Sequence, residues 1–188
     1  NFINLASAGN AKSFGNLTTA KRLQGGLGSS TRGLTAGGYT GPTNVIEFIT
    51  FATKSNTSDF GDLTQARGYV AGSSNDTRGL FSNGYASDYS DVIDYVTIAS
   101  EGNATDFGNL SIARYGAAAL ASPTRSVTGG GVDSNNQRSN VMDYVTIGST
   151  GNASDFGDLV AAREYLSAAA SETRGLFMGG VASTTYYN

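Results

Sequence analysis

The chain repeats itself four times at a period of about 47 residues, and the repeat runs off one end of the sequence and resumes at the other. An aromatic residue (Phe2, Phe48, Tyr95, Tyr144) is followed 12 residues later by Phe-Gly (Phe14, Phe60, Phe107, Phe156). A basic residue comes 7 later (Lys21, Arg67, Arg114, Arg163), and the arginine of a Thr-Arg pair 11 beyond it (Arg32, Arg78, Arg125, Arg174). A small doublet follows: Gly37-Gly38, Asn83-Gly84, Gly130-Gly131, Gly179-Gly180. The aromatic steps are 46, 47 and 49, and the step from Tyr144 through the C-terminus back to Phe2 is 46. Self-similarity at this period marks solenoids and propellers, and matching ends favour a closed ring.

One unit reads as four short strands. Asp91–Ile98 alternates β-branched and aromatic residues, which predicts a strand. Gly102-Asn103 supplies a tight turn. Ala104–Leu110 reads as a second strand bent at its glycine, Tyr115–Ala121 as an apolar small-residue strand, and Thr124–Gly130 as a fourth ending in glycines. Four strands per unit is one propeller blade. A helix competes only over Leu159–Ala170, and Gly25-Gly26 at the equivalent place in the first unit argues against it. The expected fold is all-β: one domain over 1–188, a four-bladed propeller with units near 2–47, 48–94, 95–143 and 144–188 plus residue 1. The last blade is expected to take strands from both chain ends, which hides sheet edges. A swapped dimer of eight blades uses the same blades.

Composition removes several function classes. The chain has 26 Gly but only 2 Pro, so its glycines read as turns rather than as a disordered linker. Only 14% of residues are charged and the net charge is -3, without a basic tract, which gives nucleic acid or an acidic membrane no electrostatic hold. Cys and His are both absent, so thiolate chemistry, the usual zinc sites and the usual general base are missing. No apolar run approaches the ~18 residues of a membrane span.

The feature order resembles kelch repeats: a small strand, a strand ending in a glycine doublet, an aromatic strand, then a strand with a large aromatic and a downstream Arg. The wording Asn103-Ala-Thr-Asp-Phe-Gly-Asn-Leu110 and Asp94-Tyr-Val-Thr-Ile98 is similar to kelch-like repeats in structural proteins of marine tailed phages of the cyanophage type. Phe14, Phe60, Phe107 and Phe156 stand where kelch units usually carry Trp. The resemblance implies a non-enzymatic virion structural protein, a tail or fibre module that mediates assembly or host-surface attachment. Its implied partners are other virion proteins, a host-surface glycan or protein, and further copies of the chain. Its implied location is the virion. A free-standing carbohydrate-binding propeller is the alternative, and a glycoside hydrolase, drawing on the 15 acidic residues, the second. No cofactor is expected.

Residues present in every unit read as architecture, because a catalytic site needs an asymmetric constellation. That assigns Arg32, Arg67, Arg78, Arg114, Arg125, Arg163 and Arg174 to blade-to-blade ion pairs and strand-end carbonyls; the competing reading is an arginine ring that binds an anion. Length varies only between the small doublet and the next aromatic, which marks surface loops on one face. These loops carry the candidate binding residues Tyr39, Tyr85, Tyr89, Asp133, Asn135, Tyr186 and Tyr187. Tyrosine joins a flat apolar face to a hydroxyl and suits recognition at low charge.

Overall fold

A computed structural model describes residues 1–182, 185 and 186 of the chain, and among them there is no helix. The first antiparallel meander runs β1 (Gly25–Gly28), β2 (Arg32–Ala36), β3 (Val45–Thr50) and β4 (Ser58–Asp62). The second runs β5 (Ala71–Ser74), β6 (Arg78–Tyr85), β7 (Tyr89–Thr97) and β8 (Thr105–Asn109). Short β9 (Arg114–Tyr115) precedes a third, made of β10 (Ala118–Ala121), β11 (Arg125–Gly129), β13 (Val141–Thr146) and β14 (Ser154–Asp158). Between β11 and β13 lies β12 (Val132–Asp133), which pairs with β9. The chain continues with β15 (Ser167–Ala170) against β16 (Gly175–Met178), then β17 (Val181–Ala182) against β18 (Thr185–Tyr186). Leu159–Ala170 therefore ends in a strand and holds no helix.

The sheets are offset by half a unit from the sequence repeat. Each joins the small and Thr-Arg strands of one unit to the aromatic and Phe-Gly strands of the next, so Leu34 faces Phe48, Leu80 faces Tyr95 and Val127 faces Tyr144. The Thr-Arg signature is a turn device. The side-chain oxygens of Ser29, Asn75, Ser122 and Ser171 each accept the backbone N–H of the following Thr and Arg. Between the third and fourth strands of each complete sheet the register slips beside Glu47, Asp94 or Asp143, and the second sheet slips again between Ser82 and Gly84. A bulge beside the acid re-aims it.

Adjacent sheets pack along seams. Leu34, Ile46, Phe60, Phe81 and Ile98 form the buried core between the first and second. Leu80, Ile93, Phe107, Val145 and Ile147 form it between the second and third. The Phe-Gly pairing now has a reason. A Cβ on Gly61 or Gly108 would stand 2.4 Å from the carbonyl oxygen of Gly102 or Gly151, in the turn of the next sheet. Asn103 and Asn152 in those turns accept the amides of Asp62 and Asn109 at 3.0 Å. Residues 14–17 dock on the first sheet in the same way, with the Asn16 amide on Asn56 Oδ1 at 3.0 Å.

The two ends differ from the expected closed blade. Among the described residues β16 has no third strand, and residues 1–12 form a single bridge, Phe2 to Lys12, without joining it. Apolar side chains lie open at both ends. Leu5 is 93% exposed where its equivalents Ile98 and Ile147 are buried. Leu176, Met178, Phe156 and Ile3 are open as well. Among the described residues there are thus three complete four-stranded sheets, with the β15–β16 pair after them in sequence and the single Phe2–Lys12 bridge before them.

Candidate functional site

The recurring cations occupy two kinds of place. Those after Phe-Gly sit inside the seams. Lys21 pairs with Glu47 at 2.6 Å, Arg67 with Asp94 at 2.9 Å and Arg114 with Asp143 at 2.8 Å, all buried. Arg67 also donates to the carbonyls of Phe81 and Asn83, and Arg114 to those of Thr128 and Val141. Arg163 donates to the Gly179 carbonyl at 3.1 Å. Burial pushes the Arg67 and Arg114 guanidinium groups down from their ordinary value, and their aspartates oppose the shift. Burial works against charge on Glu47, yet Lys21, the Thr18 hydroxyl and amide and the Thr57 hydroxyl hold its carboxyl down at about 2.

The Thr-Arg cations lie over aromatic rings. Arg32 stands 4.7 Å above Phe48, Arg78 4.5 Å above Tyr95 and Arg125 4.5 Å above Tyr144. Arg32 and Arg78 reach onward to the carbonyls of Ile98 and Ile147 in the next sheet. Arg174, at the open β16, has no ring beneath it among the described residues.

One face gathers six tyrosines. Tyr115 is the hub, with ring centroids 4.9 Å from Tyr69, 5.6 Å from Tyr85, 5.5 Å from Tyr89 and 6.4 Å from Tyr165. Tyr69 also meets Tyr165 at 6.0 Å and Tyr39 at 6.1 Å. Every sequence unit contributes. The sheet ladder faces Tyr85 with Tyr89 across a tight hairpin, while Gly68 and Tyr85 exchange backbone bonds at 2.9 Å. The Tyr39 amide bonds the Arg22 carbonyl at 2.8 Å. All six rings are partly exposed, Tyr165 most of all at 48%.

Two of these tyrosines hold an uncommon backbone. Leu23, Tyr69, Gly116 and Tyr165, each two residues past a seam cation, all have left-handed φ, at 62°, 59°, 67° and 56°. The Tyr69 amide reaches the Leu23 carbonyl at 2.6 Å and the Tyr165 amide the Gly116 carbonyl at 2.8 Å, so the conformation links successive units. Beside the rings, Glu164 is buried and paired with Arg138 at 2.7 Å. Burial, and then the Glu164 carboxylate, raise the Tyr115 phenol. Burial, and then neighbouring Tyr115, raise that of Tyr165. Both phenols therefore stay protonated at neutral pH.

Of the loop candidates read from sequence, Tyr39, Tyr85 and Tyr89 meet on this face. Asp133 instead braces its own loop, its Oδ1 accepting the amides of Asn135 and Gln137 at 2.9 Å, and Asn135 is exposed at that loop's tip. Tyr186 lies in β18, and Tyr187 lies outside the described residues. Sequence reasoning missed Tyr69, Tyr115, Tyr165 and Glu164. A signal was available in Gly116, which marks the left-handed position in one unit while Tyr fills it in two others.

Two grooves flank the open ends. One of about 390 Å³ lies between the third sheet and β15–β16, lined by Leu120, Arg125, Phe156, Arg174 and Phe177. The other, about 290 Å³, is lined by Phe2, Phe14, Ile49 and Phe51. Among the described residues no cluster of three acidic side chains is placed to hold a metal, and no helix is long and apolar enough to cross a membrane. No protein-family model matches the chain, and no curated protein matches it.

Proposed function

We propose that this chain is a non-enzymatic structural module of a phage virion, in a tail or fibre, that attaches through its tyrosine face to a host surface or to a neighbouring virion protein. The observation that carries the reading is the convergence of tyrosines from all four units on one face of a scaffold whose seam cations Lys21, Arg67 and Arg114 are buried against carboxylates. Such a face offers flat apolar area and hydroxyls while contributing little net charge. The wording of the repeats, similar to that of phage structural proteins, supplies the virion setting as an analogy of sequence.

The finer architecture belongs to the same proposal. The sheets are propeller blades, and the fourth is completed by the strand pair of residues 1–17. Unmet positions at both ends support this. Among the described residues, Arg174 lacks the ring that Arg32, Arg78 and Arg125 have, and Phe2 has no arginine over it. Among the described residues a Cβ on Gly157 meets nothing within 4 Å, where Gly61 and Gly108 receive a carbonyl. Leu5 is the exposed counterpart of Ile98 and Ile147.

The test is binding of the folded chain to host cells and to the other virion proteins, with Tyr85→Ala plus Tyr89→Ala beside it. Saturable binding that the double change abolishes is the expected result. A folded chain that binds neither overturns the reading.

A further inference from the structure

We infer that the tyrosine face is a binding site for neutral saccharides, with Tyr69, Tyr115 and Tyr165 as its floor and Tyr39, Tyr85 and Tyr89 as its rim. This rests on the attachment reading above and names the ligand class of the same face.

The backbone gives the first reason. At the left-handed position of the repeat, Gly116 fits without strain and Leu23 is tolerated, so the scaffold does not require tyrosine there. Tyr69 and Tyr165 occupy it at φ of 59° and 56°, a conformation that bulky side chains disfavour. Burial does not explain the choice, because Tyr165 leaves 48% of its surface in solvent. Residues held in unfavourable backbone regions without a packing return cluster at functional sites.

Ring geometry gives the second. The platform contacts are edge-on or tilted, with interplanar angles from 33° to 83°, and none is a parallel stack. No pair shares both faces in a stack, and all six residues keep part of their surface exposed. The C–H face of a pyranose packs on such rings, while its hydroxyls meet the phenol oxygens as donors and acceptors.

Charge gives the third. The Tyr115 and Tyr165 phenols stay neutral, and the Glu164 carboxylate beside them is neutralised by Arg138 at 2.7 Å. The exposed Arg22, whose carbonyl receives the Tyr39 amide at 2.8 Å, is the charged group at the rim, and the charged probes below test whether it matters. A quaternary ammonium finds rings but no uncompensated carboxylate behind them.

The experiment titrates the chain with neutral oligosaccharides (maltoheptaose, mannopentaose and galactan fragments) against sialyllactose, heparin and choline as charged probes. The decisive variant is Tyr69→Gly plus Tyr165→Gly, which removes two rings and also the left-handed strain, as Gly116 already does in its own unit. The expected result is binding of at least one neutral probe, weakened ~tenfold or more in the variant, with a melting temperature no lower than that of the parent. Preference for a charged probe, or unchanged binding by the variant, overturns the inference. A folded parent that binds no neutral probe overturns it too. Host-cell binding separates the two readings. If it survives periodate oxidation of the cell glycans yet is lost in the tyrosine variant, attachment stands and the saccharide fails. If a neutral probe binds but cells do not, the saccharide stands and attachment fails.

Discussion

The Arg78 guanidinium lies 4.5 Å above the Tyr95 ring and donates a hydrogen bond to the Ile147 carbonyl at 2.7 Å. One side chain thus clamps two strands of its own sheet and reaches into the next. Arg78→Ala should lower unfolding free energy by about 2 kcal/mol, the sum of a cation–π contact and a charged hydrogen bond. Arg78→Lys should recover less than half, because an ammonium cannot lie flat on the ring while bonding sideways. Chemical denaturation measures both. Arg174→Ala belongs in the same series. A loss comparable to that at Arg78 means a strand pair has completed the fourth blade, and no loss means β16 remains open.

Gly61 and Gly157 share a left-handed backbone, at φ of 143° and 125°, but only Gly61 has a carbonyl against it. Alanine at either position strains the chain by about 1 kcal/mol or more. Gly61→Ala should cost a further ~1–3 kcal/mol, because the added methyl displaces the Gly102 turn. The difference between the two melting temperatures measures that contact.

Arg67 and Asp94 are both buried, 2.9 Å apart. Asp94→Asn leaves the guanidinium without a counter-charge and should destabilise by about 3–5 kcal/mol. Replacing both partners with apolar residues should be milder than either single change, since no charge is then stranded. A double-mutant cycle in denaturant gives the coupling.

The Glu47 carboxyl sits at about 2 against an ordinary 4.5, so its folded-state pKa is depressed. Its contribution is present above the unfolded value and is lost as pH falls from about 4.5 toward 2. At neutral pH it is on the order of 3 kcal/mol. The acid limb of the stability–pH curve should flatten in Glu47→Gln, at a lower plateau. An unchanged acid limb would show that other carboxylates govern it.

Leu34 faces Phe48 across β2 and β3, and Leu176 and Phe2 are their counterparts at the two ends. With no native cysteine, Leu176→Cys plus Phe2→Cys is a clean cross-linking pair. Oxidation should give a disulfide if the fourth blade closes. A bond within one chain means a four-bladed ring, and a bond between chains means exchange between copies. No bond under mild oxidation overturns closure.

Much of this architecture is written in single residues. The β-branched run around Tyr95 became β7, the Phe-Gly glycines became seats for a neighbouring turn, and Ser29 and Asn75 explain their Thr-Arg pairs. The half-unit offset was not readable from the period, since every cyclic shift of a repeat has the same period. The hydrogen-bonded ladder alone shows that Leu80 and Tyr95 share a sheet. The tyrosine floor was hidden for another reason. Tyr69 and Tyr165 belong to different units, and they meet because both backbones adopt a conformation that a sequence advertises only when glycine occupies it.

Seam contacts such as Gly61 on Gly102, Asn103 on Asp62 and Arg78 on Ile147 reach only the adjoining sheet. Apart from the Tyr69–Tyr165 ring contact, cooperativity along the molecule is therefore of the nearest-neighbour kind, in which each sheet borrows stability from those beside it. The second sheet has a neighbour on both sides and the longest strands, β6 and β7, so its amides should exchange with deuterium most slowly. Protection should fall toward residues 1–17 and β15–β16, from which unzipping starts.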